Sequence, residues 1–421
     1  DRRSLLDGLG EVFSGYRAKA YEAGPGRHVS VPVAALRRFL SSVTPFLDQV
    51  VRTGRRTDGL FESYCLVHFE PGSAHLEPLY EMLEGQVAVL SGQDLAVEEV
   101  VHLVDTMFES PLYREDQHTF MLYPNRALPP FSDKNVVPEE ALGAAARSLL
   151  DAGVGILSRD VEGRVRFDAA FRSAEPLAAA LSSIDGLSPD GRREVLDLYE
   201  SVFHHASFTG RSGTMYRYEG LGSVYWHMVS KLLLAVHVQV VRAVEGGLPG
   251  DVVDALADRY VRIRAGLGYQ KDVVEQGTFP TDPHSHTPGH TGAQQPGMTG
   301  QVKEGVLLRW GELGVVVDGG RLRFRPVVLS LREFLEEPRP WRVLGDGGRL
   351  EAGTLGFTYC GVPVVYHLEE GAPWASVTWS DGRETRGSEH LDPETTAALF
   401  GRRGLIDRID VGIPTAWLRS G

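Results

Sequence analysis

Cysteine is almost missing. Cys65 and Cys360 are the only two in 421 residues, so no disulfide framework is expected and nothing calls for an oxidising compartment. The expected location is therefore cytoplasmic. Long apolar runs are missing too: the longest, Leu232 to Val241, is broken by His237 and Gln239 and is too short to cross a bilayer. No secretory leader is visible. No basic cluster exceeds Arg55-Arg56, and the formal charge is -13. That balance speaks against nucleic acid and anionic membrane as partners and leaves neutral or cationic ligands open. Internal repeats and low-complexity tracts are absent. The first residue is Asp1 rather than Met, which raises the expectation of an N-terminal companion segment on a longer polypeptide; a homo-oligomer is the other partner expected.

What is present is an ordinary soluble composition, 42% apolar and 24% charged, on a chain long enough for two domains. Apolar residues at helical spacing predict helices over 4–22 (Leu5, Leu9, Val12, Phe13, Tyr16), 32–53 (Leu36, Leu40, Val43, Phe46, Leu47, Val50), 75–91 and 95–109. Further helices are expected at 138–151, 168–182, 189–204, 221–244 and 250–264, and one more carries Val306, Leu307, Trp310 and Leu313. Short connections alternate with long polar ones, which suggests a toroid of helical hairpins with its long loops collected at one rim. After Gly314 the pattern changes to short β-branched and aromatic runs separated by Asp-Gly and Gly-Gly turns, the signature of strands and hairpins. The fold class expected is α+β: a helical domain over 1–314 carrying the site, then an antiparallel β-sandwich over 315–421.

Four loops mix aromatic with polar residues: 57–64, 113–126, 208–222 and the stretch leading to Gly314, GTFPTDPHSHTPGHTGAQQPGMTGQVKEGVLLRWGELG. Sugars lay apolar faces on aromatic rings, and their hydroxyls take planar partners such as carboxylate, amide and guanidinium. Four such loops on one scaffold point to a carbohydrate. Breaking a glycosidic bond usually takes two carboxyl groups, and in a phosphorylase phosphate replaces the second. Glu219, ahead of an apolar helix, has surroundings that raise a carboxyl pKa toward general-acid duty; its bland reading is a carboxylate at a helix start. Asp116 is the second candidate, with ion pairing to Arg114 as its alternative role. Glu304 is the third, with a solvated helix surface as the alternative. Arg114, Gln117, His118, Arg211, Tyr218, Asp282, His284, His286, Gln294, Gln295 and Thr299 are candidate substrate-binding residues. His284, His286 and His290 lack the spacing of common zinc sites and have no cysteine nearby, so no metal is expected. No cofactor is expected either, apart from inorganic phosphate as a co-substrate.

The stretch from GAQQPGMTGQVKEGVLLRWGELG through the strand GRLRFRP, followed by further strands, resembles the tail of the glycoside hydrolases and phosphorylases built on an (α/α)6 barrel, the cellobiose-phosphorylase-like and maltose- or kojibiose-phosphorylase-like families. LYEMLEGQVAVLSGQ, YREDQHTFMLYPNR and FTGRSGTMYRYEGLGSVYWHMVSKLLLAV look like a poorly characterised bacterial group of the same clan. The resemblance implies an (α/α)6-type toroid, here short of helices at its N-terminal side, with the last barrel loop and helix carrying base or phosphate-binding residues. The usual acid motif of the cellobiose-phosphorylase-like enzymes is not recognisable, so Glu219 and Asp116 rest on their own surroundings. The function expected is cleavage or transfer of a glycosyl unit of an oligo- or polysaccharide, with inversion. A polysaccharide lyase using Tyr218, His286 and Arg211 and a non-catalytic glycan-binding or scaffold subunit are the alternatives.

Overall fold

The computed structural model describes residues 2–22, 30–92, 94–124, 130–204, 224–267, 299–343 and 346–420. They divide into two compact units. One holds the described residues within Asp1–Leu122, Val224–Asp282 and Gln295–Gly421, the other those within Tyr123–Ser223.

The first unit opens with two 21-residue helices, α1 (Arg2–Glu22) and α2 (Val33–Thr53). A hairpin follows, β1 (Cys65–Glu70) with β2 (Ser73–Pro78). This corrects the helix expected from residue 75: Leu76, Tyr80 and Leu83 mimic helical spacing, but residues 73–78 pair with 65–70. The helix begins only at Leu83. Then come α3 (Leu83–Ser91), α4 (Val97–Glu109) and a small hairpin, β3 (Tyr113–Arg114) with β4 (Thr119–Phe120).

The second unit comes next in the chain. It contains α5 (Phe131–Lys134), α6 (Ala144–Ala152), the hairpin β5 (Leu157–Arg159) with β6 (Val165–Phe167), α7 (Ala174–Ser182) and α8 (Pro189–Phe203). The hairpin was not foreseen. Its core joins Phe167, Tyr199 and Phe203 to Leu177, Leu181 and Val195. Ser188 starts α8 by accepting the Gly191 N–H at 3.1 Å, with Pro189 at the first helical position, where its missing N–H costs nothing.

The chain returns to the first unit with α9 (Trp226–Glu245), α10 (Gly250–Ala265) and α11 (Thr299–Glu312). By length and composition α9 passes for a membrane span, but Met228, Val229, Leu232, Leu233, Val236 and Val240 are buried within the unit.

Helix directions follow from specific bonds. Gln239 of α9 donates to the carbonyls of Leu90 and Gly92 at 2.7 and 3.0 Å, and Arg242, three residues on, reaches that of Leu95 at 3.1 Å. So α3 and α9 run the same way. Glu304 meets His227 while Gly311 lies against His237, so α11 runs with them. A short turn reverses α9 into α10, and Asp105 pairs with Arg259 while Phe108 lies under Arg262, so α4 follows α10. Three helices therefore point one way and two the other, in alternation along the chain. The starts of α3, α9 and α11 and the ends of α4 and α10 share one end.

Past α11 the chain is mainly strand: β7 (Val315–Asp318) with β8 (Arg321–Phe324), and β9 (Arg339–Val343) with β10 (Asp346–Leu350). A five-stranded sheet follows in the order β11 (Thr354–Tyr359), β12 (Val362–Glu369), β15 (Ile406–Pro414), β13 (Trp374–Trp379), β14 (Glu384–Gly387). The sheet is mixed rather than antiparallel throughout. The chain leaves β14, forms α12 (Pro393–Gly401) and comes back between β12 and β13, so β15 is parallel to β12 and antiparallel to β13. Only a crossover of this length permits a parallel neighbour. One face packs Val364, Tyr366, Val377, Ile409 and Val411 against Leu322, Phe324 and Leu399.

Buried ionic contacts tie α11 to its neighbours. Glu312 receives Tyr260 at 2.8 Å, Arg264 at 2.5 Å and Arg309 at 2.9 Å, and Arg309 also reaches Glu333 at 2.6 Å. Burial works against the charge on Glu312, but Arg264, Tyr260 and Arg309 together hold its carboxyl below the usual range.

Candidate functional site

The end where α3, α9 and α11 begin gathers the described candidate residues Glu304, Arg114, Asp116, Gln117 and His118. Glu304, one turn into α11, keeps only 5% of its side chain exposed and lies 3.2 Å from His227 Nε2. His227 is in the first turn of α9, and the Tyr225 hydroxyl stands 3.4 Å from its Nδ1. With the imidazole proton on Nε2, His227 donates to Glu304 and accepts from Tyr225, a chain from a buried carboxylate outward. Lys303 approaches the same carboxylate at 3.5 Å.

The β3–β4 hairpin is fixed at that end. The Leu83 N–H donates to the Leu122 carbonyl at 3.0 Å. A Cβ on Gly266, at the end of α10, would come 2.1 Å from the His118 carbonyl oxygen, so this close approach needs a glycine. Phe108, Tyr113 and Phe120 cluster beneath it, with the Arg262 guanidinium 3.6 Å from the Phe108 ring centre. At its tip Asp116 is 68% exposed and bonded to Arg114 at 3.0 Å. Gln117 is buried, and His118 adopts a left-handed backbone at φ 50°.

The loop 54–64 is held there by Gln86, fully buried in α3, which bonds both backbone groups of Phe61 at 2.9 and 2.8 Å. It carries Arg56, which pairs with Asp58 at 2.9 Å, Glu81 at 3.2 Å and Glu62 at 3.5 Å. Burial opposes the charge on Asp58, but the Arg56 hydrogen bond and the Leu60 N–H leave its carboxyl below the usual range. Tyr64 donates to Glu84 at 2.6 Å.

The structure thus places Glu304, Arg114, Asp116, Gln117 and His118 at one end of the helix set. Thr299 opens α11. Glu219, Arg211, Tyr218, Asp282, His284, His286, His290, Gln294 and Gln295 lie outside the described residues. Among the described residues no group of three or more His, Cys, Asp or Glu side chains is arranged to hold a metal ion. Sequence reasoning missed His227, which sits inside YWHM, a run that reads as core. It also missed the Gln86 clamp.

Comparison with known proteins supplies a class first. Residues 128–206 match the family model described as GH149 phosphorylase insertion domain 2. The match spans almost all of the described part of the second unit and supports a glycoside phosphorylase-type carbohydrate-active enzyme. No curated protein matches the chain.

Proposed function

We propose that this polypeptide is the catalytic part of an inverting glycoside phosphorylase acting on an oligo- or polysaccharide. The observation that carries this reading is the similarity of 128–206 to a phosphorylase insertion domain, placed in the chain between β4 and α9. The alternating helices support it further, as an arc of an (α/α)6-type toroid. In this reading the helical part bears the site and the chain beyond Gly314 forms a supporting β domain.

A general acid, Glu219 or Asp116, protonates the glycosidic oxygen. An oxygen of inorganic phosphate attacks the anomeric carbon from the opposite face, the old C–O bond breaks, and the products are a sugar 1-phosphate and a shortened glycan bearing a hydroxyl. Phosphate is assigned to the segment holding His286, Gln294, Gln295 and Thr299. Glu304 is too buried to meet the sugar itself and acts by holding His227. Arg114, Gln117, His118, Arg211, Tyr218, Asp282 and His284 contact the substrate.

The test is release of sugar 1-phosphate from a panel of oligosaccharides by the full natural polypeptide. Product that depends on phosphate is expected. Release of free sugar at the same rate without phosphate would replace phosphorolysis with hydrolysis, and an ultraviolet-absorbing unsaturated product would replace both with a lyase.

A further inference from the structure

On the glycan-cleaving reading given above, we infer that Tyr225 is a specificity-determining residue that accepts a hydrogen bond from a sugar hydroxyl, with His227 and Glu304 positioned behind it to fix that polarity. Residues two apart inside a helix do not face each other. Tyr225 reaches His227 because it stands just ahead of α9 with an extended backbone, φ -101° and ψ 90°. Its carbonyl accepts the N–H groups of Met228 and Val229 at 2.8 and 3.1 Å, and Val224 before it is buried, so the helix start holds the backbone in place. The phenol ring stands edge-on to the imidazole, with 5.8 Å between centres and 85° between planes. The hydroxyl thereby comes 3.4 Å from Nδ1.

The direction of each hydrogen bond follows from the buried end of the chain of groups. Glu304 is an acceptor-only carboxylate with 5% of its side chain exposed, 3.2 Å from His227 Nε2, so Nε2 carries the proton that joins them. A singly protonated imidazole has one N–H, which leaves Nδ1 bare and accepting. The one hydrogen of the Tyr225 hydroxyl is then spent on Nδ1. Toward substrate its oxygen offers lone pairs. Each bond in such a series polarises the next, which strengthens the whole. A doubly protonated ring would reverse the order: Tyr225 would accept from Nδ1, and its O–H would turn outward as a donor.

An outward acceptor selects its partner. A sugar hydroxyl supplies the O–H it needs, whereas a carboxylate or an unprotonated phosphate oxygen meets it lone pair to lone pair. Tyr225 lies at the end shared by the starts of α3, α9 and α11, the end that also carries the β3–β4 hairpin with Arg114 and Asp116. It therefore contributes to holding the glycan and not to holding phosphate.

Calorimetric titration of the full natural polypeptide with the oligosaccharide panel, and with monodeoxy and monodeoxyfluoro derivatives of the tightest binder, tests this without requiring turnover. Fluorine fills the place of the hydroxyl oxygen but donates nothing. At one hydroxyl position both derivatives are expected to bind the parent protein roughly tenfold more weakly, the scale of one neutral hydrogen bond. Tyr225→Phe should bind the unmodified sugar weakly as well and treat it and both derivatives alike. His227→Ala releases the Tyr225 O–H, so the fluoro derivative should then bind more tightly than the deoxy one. A fluoro derivative that already outbinds the deoxy one in the parent protein shows Tyr225 donating and overturns the inference. So does a Tyr225→Phe protein that discriminates like the parent, or a parent that binds no oligosaccharide of the panel. The expected binding pattern without release of sugar 1-phosphate removes phosphorolysis and leaves the role of Tyr225 standing; release of sugar 1-phosphate with an unaltered pattern in Tyr225→Phe removes the role of Tyr225 alone.

Discussion

Glu304 and His227, 77 residues apart in sequence, meet at 3.2 Å across the α9–α11 contact. The carboxylate is the more buried of the two, and in the function proposed above it orients the ring. Glu304→Gln keeps an amide oxygen to accept from the ring but removes the charge, and His227→Ala removes the ring. Each is expected to lower kcat/KM for phosphorolysis on the order of 100-fold, the scale of a single proton-handling group. The double variant should lose little more, because residues that act as a unit are not additive. Initial rates of sugar 1-phosphate formation check this, and a product of the two single losses in the double variant would show that they act separately.

Glu312 makes stability depend on pH. Its folded-state carboxyl titrates below the ordinary value, so its contribution is complete above the unfolded pKa of about 4.3 and disappears as pH falls through the folded value. Glu312→Gln leaves Arg264 and Arg309 without their carboxylate and should cost about 3 kcal/mol at pH 7. Urea unfolding of parent and variant should converge as the pH is lowered below 4.3. A gap that stays constant through that range would place the stabilisation elsewhere.

Packing between α9 and α11 rests on a missing side chain. A Cβ on Gly311 would come within 2.5 Å of His237 Cε1, and His237 is buried with its Nε2 unpartnered and its ring 5.7 Å from that of Tyr260. Burial pushes the imidazole pKa down, so the ring stays neutral and cannot move to water cheaply. Gly311→Ala is expected to cost about 2 kcal/mol by overpacking. Adding His237→Ala should recover part of that loss. Denaturant midpoints of the single and double variants decide it.

Periodicity revealed the helices that have one apolar face, among them 4–22, 32–53, 95–109 and 250–264, and the Asp318-Gly319-Gly320 turn revealed its hairpin. It failed at residues 73–78, where an exposed strand on a two-stranded hairpin carries no alternation to read. It also failed at α12, a nine-residue helix started by Asp392 and Pro393 among strands. The parallel placement of β15 was invisible, because pairing partners are a property of the crossover and not of the strand. At the site, Glu304 could be picked out as a carboxyl on the last helix, but its burial and its contact with His227 depend on how α9 and α11 pack. Nothing in YWHMVSKLLLAV separates a histidine facing a carboxylate from one filling a core. His237, ten residues later in the same helix, is the core kind.

The second unit can be tested as a unit through Asn135. Its side chain is 3% exposed; the amide donates to the Phe167 carbonyl at 2.8 Å and the oxygen accepts the Phe167 N–H at 3.0 Å. It thus serves β6 as a neighbouring strand would. Asn135→Ala strands two buried backbone groups, at roughly 1–3 kcal/mol each where water cannot reach them. Because Asn135 and Phe167 both lie in the compact unit after β4, the loss should stay local. Hydrogen exchange is expected to accelerate at Phe167 and through α6, α7 and α8, while α3, α9, α10 and α11 keep their protection. Equal acceleration in α9 would mean that the two units unfold together, and that the segment similar to a phosphorylase insertion domain is energetically part of the helical body it interrupts.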